Sequence, residues 1–399
     1  MLNPLRRPLF LTPTLLLFAL HPYAFGQTPA ANPAPPASGS LLNGFATPAR
    51  TLHQLAQHGV SFQYLYVHDL SKAPLALPDS QNWFGRYSWD ITSTIDAAKA
   101  LGWNGGSAFL DLKQHTQEYG SVYTSASQGY SNIDAPSRTV LYQAWAQQLL
   151  FNNRLRLKAG RIDANTDFAG VSTAADFLNS SMGFSPTIME FPTYPQPKMG
   201  ADLAVAATKS TQISAGLFGT NNGKMELGEV SQAWTLGASQ NPGRVALGIW
   251  QLREPLHCFR GDDVSGTQGL YLITEQSLWR RVLSEKQSQE QRLSAFLQIG
   301  DGDGKANPFT QHLGGGLVFS APFRRRPSDA AGAAVTRVVF TRDLCDYDAH
   351  QERALEAYYK FSLSRTLSLV SDVQYFQHPG GILANRNTLI ATPRLVVSF

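Results

Sequence analysis

"LEAYYKFSLSRTLSLVSDVQYF" (residues 355–376) carries the pattern from which the fold is read. Leu355, Ala357, Tyr359, Phe361 and Leu363 alternate with Glu356, Tyr358, Lys360 and Ser362. A period of two places one set on each face of a strand. Beyond Ser364 and Arg365 the pattern returns, with Leu367, Leu369, Val373 and Tyr375 set against Ser368, Asp372 and Gln374. The stretch is therefore two long strands joined by a turn, greasy on one face and wet on the other. The last residues, "LIATPRLVVSF" (389–399), repeat it: Leu389, Ala391, Pro393, Leu395, Val397 and Phe399 share a face opposite Thr392, Arg394 and Ser398. Terminal residues of soluble chains usually fray, so an apolar last strand asks for a cover.

Working outward, the same alternation starts near residue 60 and gives about 16 candidate strands, many of roughly 9–11 residues, the length a tilted strand needs to cross a bilayer. "KST" (209–211) and "QNPG" (240–243) read as tight turns on one rim, and the polar stretches 113–137, 219–231 and 377–386 as loops. An open sheet with an apolar outer face would leave unpaired edges and grease in water, whereas a sheet closed on itself in lipid satisfies both. The expectation is an all-β, transmembrane antiparallel β-barrel of about 16 strands with one or more inward-folded loops, shut by a strand whose Phe399 turns to lipid. The competing expectation is a soluble β-sandwich ending on a core strand.

Composition agrees with the barrel. Charged residues are only 16%, aromatics reach 11% and there are 33 glycines in 399 residues. The net charge of +4 includes Arg6 and Arg7, and no basic run is interleaved with aromatics, so no nucleic-acid partner is expected. "FRRRP" (323–327) reads as a solvated loop. Residues 1–26 have the arginine pair, the apolar run and the small residues of a secretory signal cleaved near Gly26. Residues 27–43 form a Pro/Ala-rich segment expected to be disordered, and 44–399 a single barrel domain with a short periplasmic or plug-like lead-in. A disulfide between Cys258 and Cys345 is left open, because spacing alone does not decide it.

Catalytic and metal motifs are missing. "DGDGKANPFTQH" (301–312) opens like a calcium loop, but Lys305 and His312 stand where ligands belong. H-E-x-x-H, G-x-S-x-G and the phosphate-binding G-x-x-x-x-G-K-[ST] do not occur. No enzyme activity, cofactor or metal is expected.

Four stretches go further than alternation. "LRLKAGRIDANTDFAGVSTAADFLNSSMGFSPTIMEFPTYPQP" (155–197), "GLYLITEQSLWR" (269–280), "HLGGGLVFSAPF" (312–323) and the closing 355–381 resemble the OprB-type family of carbohydrate-selective outer-membrane porins. Near the start "NGFATPAR" (43–50) departs from the Gly-Asp-Trp-Gly-Gly-like stretch common in that family. The resemblance implies a sixteen-stranded barrel in the outer membrane that passes sugars or polyols by diffusion, with outer-membrane lipid, sugars and the barrel-assembly machinery as partners. Both a homotrimer and isolated barrels stay open, and Phe399 resembles the terminal assembly signal of such proteins. Alternative roles are a surface receptor or adhesin with a plugged lumen, and a weakly selective general porin.

A sugar-selective constriction should combine aromatic platforms with paired charges. Arg161, Asp163, Asn165 and Asp167, with Phe184, Phe191 and Tyr194 beyond them, form the segment expected to fold into the lumen, with a short helix over 172–184. Arg154, Arg156 and Lys158 share one strand face, and Glu356, Lys360 and Asp372 are lining candidates from other strands. Pinning of the loop to the wall is an equally weighted role for Arg161 and Asp163. Trp83 and Arg86 in "NWFGRY" make a candidate second aromatic-plus-arginine site.

Overall fold

In the computed structural model, residues 46–73, 83–116, 125–237, 239–284, 289–344 and 348–399 are described. The expected signal, the Pro/Ala-rich segment and Cys345 lie outside them. A lead-in helix, α1 (Ala46–Gln57), turns at Gly59, whose φ of +85° favours a residue without Cβ, into β1 (Val60–Ser71). There follow β2 (Phe84–Asp96), the short α2 (Ala97–Leu101), β3 (Gly106–His115), β4 (Arg138–Leu150), β5 (Leu155–Ile162), β6 (Lys198–Ala206), β7 (Thr211–Gly219), β8 (Lys224–Leu236) and β9 (Asn241–Arg253). A small hairpin, β10 (Leu256–His257) and β11 (Asp263–Val264), precedes β12 (Thr267–Ser284), β13 (Gln289–Gly302) and β14 (Phe309–Ser320). β15 (Ala330–Phe340), β16 (Gln351–Ser362), β17 (Leu367–Gln377) and β18 (Thr388–Ser398) complete the chain.

Sixteen of these strands form one closed antiparallel ring in which each pairs with its sequence neighbours, β9 with β12, and β18 with β1. At the seam Phe399 exchanges backbone hydrogen bonds with Tyr64, at 2.7 and 3.1 Å, and the two rings lie 5.0 Å apart. Every backbone edge is thereby paired, which a sheet in lipid requires. The turn expected at Ser364 and Arg365 joins β16 to β17, and 207–210 turns at the same rim, where β8 also ends and β9 begins. At the opposite rim are 163–197 and 378–387, with the described parts of the β3–β4 and β15–β16 connections. Short turns on the periplasmic side and longer loops outside are the usual arrangement of such barrels.

The outer face is the apolar one. Leu247 and Ile249 on β9 are 54% and 66% exposed, while Ala246 and Trp250 between and beyond them are buried inside. That parity excludes the sandwich, in which those side chains would meet in a packed interior. One expected loop is a strand: 224–231 belongs to β8, because Met225 and Leu227 point inward against the lumen contents and Lys224 and Glu226 outward. The link from β7 is only 220–223. Likewise β3 continues through His115, inside the stretch 113–137 expected as loop.

Candidate functional site: the lumen and its inward loop

The 163–197 segment between β5 and β6 folds back into the barrel. Phe168, Phe177, Leu178, Met182, Phe184 and Ile188 are buried there against Phe218, Trp250, Tyr271, Phe296 and Tyr358 of the wall. Phe177 meets the ring of Tyr358 edge-on at 4.8 Å and that of Phe296 at 5.8 Å. Gly300 makes room for this approach, since a Cβ there would lie 1.9 Å from Ser185 Oγ. The short helix expected over 172–184 is replaced by separate 3-10 turns, Ser172–Ala174 and Ser180–Met182. The reason is competition for backbone donors. Glu275 takes the Thr173 N–H at 2.6 Å and the Ser172 hydroxyl at 2.5 Å, while Glu356 takes the N–H groups of Leu178 and Asn179 at 2.5 and 3.2 Å. Wall carboxylates thus claim donors that a continuous helix would use.

Further wall groups complete the attachment. Glu229 accepts from Ala169 N at 3.0 Å, Gln298 donates to the carbonyls of Ser181 and Met182 at 2.6 and 3.0 Å, and Lys360 pairs with Asp176 at 2.7 Å. Arg244 bridges Glu229 and Glu275 at 3.1 and 3.0 Å. Asp372 lies beside this group, accepting from Gln374 at 3.0 Å. Arg156 and Lys158 both bind Asp167, the lysine at 2.6 Å, and Arg156 also reaches Asp202 at 2.5 Å. Burial works against the charge of Asp167, but the flanking Lys158 and Arg156 hold its carboxyl below the usual range. Asp163 accepts from Tyr142 and from Asn165 N, so Asp163, Asn165 and Asp167 all serve to shape the loop.

A second inward segment, 125–135, lies against the first. Its Ser127 and Gln128 N–H groups both bond Glu352 at 2.8 Å, Gly129 accepts from Ser180 N at 2.8 Å, and Asn132 donates to the Phe177 carbonyl at 3.1 Å. The half of the lumen facing β7–β17 is consequently full of protein.

The wall of β1–β4 is different. Here register brings opposite charges together: Asp90 faces Lys113 across β2 and β3, with 2.7 Å between charged atoms, and Asp69 faces Arg394 across the seam at 2.6 Å. Arg86 donates to Tyr130 at 2.5 Å and lies 3.9 Å from Asp134. Lys113 stands 4.5 Å over the ring of Tyr142 and 5.4 Å over that of Tyr194, whose hydroxyl donates to the Ile133 carbonyl at 2.9 Å. Yet polar atoms are left over. Both oxygens of Asp111, Nη1 of Arg86 and Nη1 of Arg394 are buried without a hydrogen-bond partner. Buried polar groups are normally satisfied, by protein or by what occupies the adjoining space. Farther out, Phe184, Phe191 and Tyr194 share with Asn221, Asn307 and Phe309 a hollow of 270 Å³, the room of roughly nine bulk waters.

Three sequence expectations are corrected. Arg161 lies on β5 rather than in the loop, and shares the outward register of Leu157 and Ala159, opposite Arg156 and Lys158. Arg154 falls in the 151–154 turn, beside a 410 Å³ hollow with Lys209 and Arg244, and so is off the strand face assigned to it. Trp83 and Arg86 are separated: Trp83 is 53% exposed, with Lys72 5.6 Å from its ring, whereas Arg86 is fully buried. Trp83 precedes β2, which begins at Phe84, while Arg86 lies within it. Cys258 is buried in the 254–266 link. The reading of single residues missed Asp69, Asp90, Asp111, Lys113 and Arg394. Asp69, Asp90 and Arg394 become part of the group only through strand pairing, while Asp111 and Lys113 stand two residues apart on one strand face.

Comparison with known proteins places this geometry. A family model described as carbohydrate-selective porin, OprB family, matches residues 86–253 and 229–399. Porin B of Pseudomonas aeruginosa is 24% identical over 315 residues, covering 65% of this chain and 68% of that protein. A high-pH structure of Pseudomonas putida OprB superposes with a TM-score of 0.79 at 19% identity, over 88% of this chain and 97% of the other. The low-pH structure of the same protein gives 0.58 at 19% identity, over 90% and 98%. The likeness to these structures lies in the fold.

Proposed function

The chain belongs to the carbohydrate-selective OprB porin family, and from that premise we propose that its solutes pass along the β1–β4 wall rather than through the middle of the barrel. It is an outer-membrane porin through which carbohydrates diffuse passively, in a family of channels rather than enzymes. The observation that carries the proposed route is the packing of the 163–197 segment against the wall facing β7–β17; buried polar atoms without a partner occur on both walls, and those of Arg86, Asp111 and Arg394 are the ones on β2, β3 and β18. A pyranose offers hydroxyls to such atoms and apolar ring faces to Tyr142 and Tyr194. The hollow beside Phe191 and Tyr194 would receive the sugar at the outer mouth, with Asp163, Asn165 and Asp167 holding the loop edge past which it moves.

The test is single-channel current titrated with glucose and other monosaccharides. Concentration-dependent block is expected, and Asp111→Asn or Arg86→Gln should weaken it about tenfold, the loss of roughly one charged hydrogen bond. Block unchanged in both variants sinks the route, and a channel without sugar permeation in liposome swelling sinks the porin reading as well.

Secretion by way of a signal cleaved near Gly26, and use of the terminal Phe399 by the assembly machinery, are part of the same proposal. Association as a homotrimer is supported by β5, β6 and β7, which at 8, 9 and 9 residues are the shortest strands of the ring. Their outer face carries small residues, Ala159, Ala201 and Ala215, beside the outward Arg161, and short strands of this kind suit contact with protein better than contact with a full hydrocarbon layer. Cross-linking in the native membrane would show a three-copy ladder, or monomer alone if the association is wrong.

A further inference from the structure

The "FRRRP" stretch has a setting that its sequence does not disclose. It forms the link between β14 and β15 at the short-turn rim, with Phe323 60% exposed and its ring 6.4 Å from that of Tyr359 on the outer face. Tyr359 lies 4.3 Å from Phe361, and Trp279 of β12 lies 6.2 Å from Phe319 of β14. Outward rings clustered near a rim mark the level at which hydrocarbon gives way to headgroups.

Just beyond this level are Arg281 on the β12–β13 hairpin, Arg324 and Arg325 between β14 and β15, and Arg365 between β16 and β17. All four are exposed and make no hydrogen bond or ion pair among the described residues. Among the described residues the nearby acids are already taken: Glu290 by Arg280 and Arg292, and Asp329 by Arg326. Three successive hairpins therefore present guanidinium groups on one arc that no described residue pairs. The rest of that rim differs, since Lys99 is paired with Asp96 at 3.5 Å and the remaining turns contribute only Arg154 and Lys209.

We propose that this arginine arc binds the phosphate headgroups of anionic phospholipids in the inner leaflet, fixing the height and tilt of the barrel on that side. Charge complementarity is the argument for this occupant. The arc is cationic, lies at headgroup depth beneath an aromatic belt, and is built of arginine, whose planar fork grips phosphate with paired hydrogen bonds. The proposal rests on the membrane reading of the barrel but not on its selectivity for sugars.

The experiment is native mass spectrometry of the full chain in detergent, titrated with phosphatidylglycerol and, separately, with phosphatidylcholine of the same acyl chains. The wild type should retain phosphatidylglycerol at least about tenfold better, given the contribution of each basic residue near an anionic surface. Arg281→Gln/Arg324→Gln/Arg325→Gln/Arg365→Gln should erase the preference, and Arg154→Gln/Lys209→Gln should keep it. Should the fourfold variant lose its compact barrel migration on gels, Arg324→Gln/Arg325→Gln alone is read for a partial loss. Equal retention of both lipids, an undiminished preference in the arginine variants, displacement by inorganic phosphate, or binding of anionic peptidoglycan fragments in place of lipid each overturns the proposal. Sugar current from the same preparation is scored separately, so a failed porin reading is not mistaken for a failed lipid site.

Discussion

The two halves of the lumen use charge in opposite ways. On the β7–β17 side, Glu229, Glu275 and Glu356 spend their oxygens on the backbone of the 163–197 segment, and Arg244 ties two of them together. On the β1–β4 side, Asp90 and Lys113 pair along the wall, Asp69 and Arg394 pair across the seam while also binding the side chains of Ser131 and Asn132, and the oxygens of Asp111 are left over. A carboxylate that receives loop N–H groups serves as a fastener. One that is buried on the wall without a loop donor, as Asp111 is, fastens nothing. Charge inside the barrel is thus no guide to function until its partners are known.

Removing the filler should have the largest effect. Replacing 168–190 by a short glycine-serine link is expected to raise single-channel conductance several-fold and abolish discrimination among sugars; an unchanged conductance would mean that the segment does not limit the passage. Next in size, Glu356→Ala leaves the N–H groups of Leu178 and Asn179 buried without an acceptor, and should lower stability by about 2–4 kcal/mol, read as an earlier heat- or urea-induced loss of compact gel migration. Asp111→Asn keeps the shape and breaks no fastening, so its stability change should stay under about 1 kcal/mol while sugar block weakens. A large loss of stability there would erase the contrast between the two walls. Trp83→Ala is expected to move neither stability nor current, with a stability change inside about 0.5 kcal/mol, because its ring lies on the outside.

The barrel was legible because its lipid face is written in alternation, as at Leu355 to Leu363 and Leu389 to Phe399. The one strand half missed, 224–231, follows a different rule: Met225 and Leu227 are greasy on the inside, where the inward segment covers them, and the outward Lys224 and Glu226 sit near the rim. Alternation reports which face is apolar, and here both surroundings demand it. The inward segment could be chosen from its density of polar and aromatic residues, which brought in Asp163, Asp167 and Tyr194. Arg161 was misjudged by a matter of parity, since moving a strand end by one residue turns a side chain to the other face. The β1–β4 group was illegible for a stronger reason. Asp69 and Arg394 are 325 residues apart and meet only when the ring closes.

That closure has a consequence for biogenesis. β1 can pair with β2 early, but the backbone partners of Tyr64 on its other edge belong to Phe399, so that edge is sealed only when β18 arrives. Until then the edge strand of any partly formed sheet stays open to pairing with another chain. A shortened polypeptide lacking the final strand should therefore be degraded as an unsealed sheet rather than persist as a smaller pore.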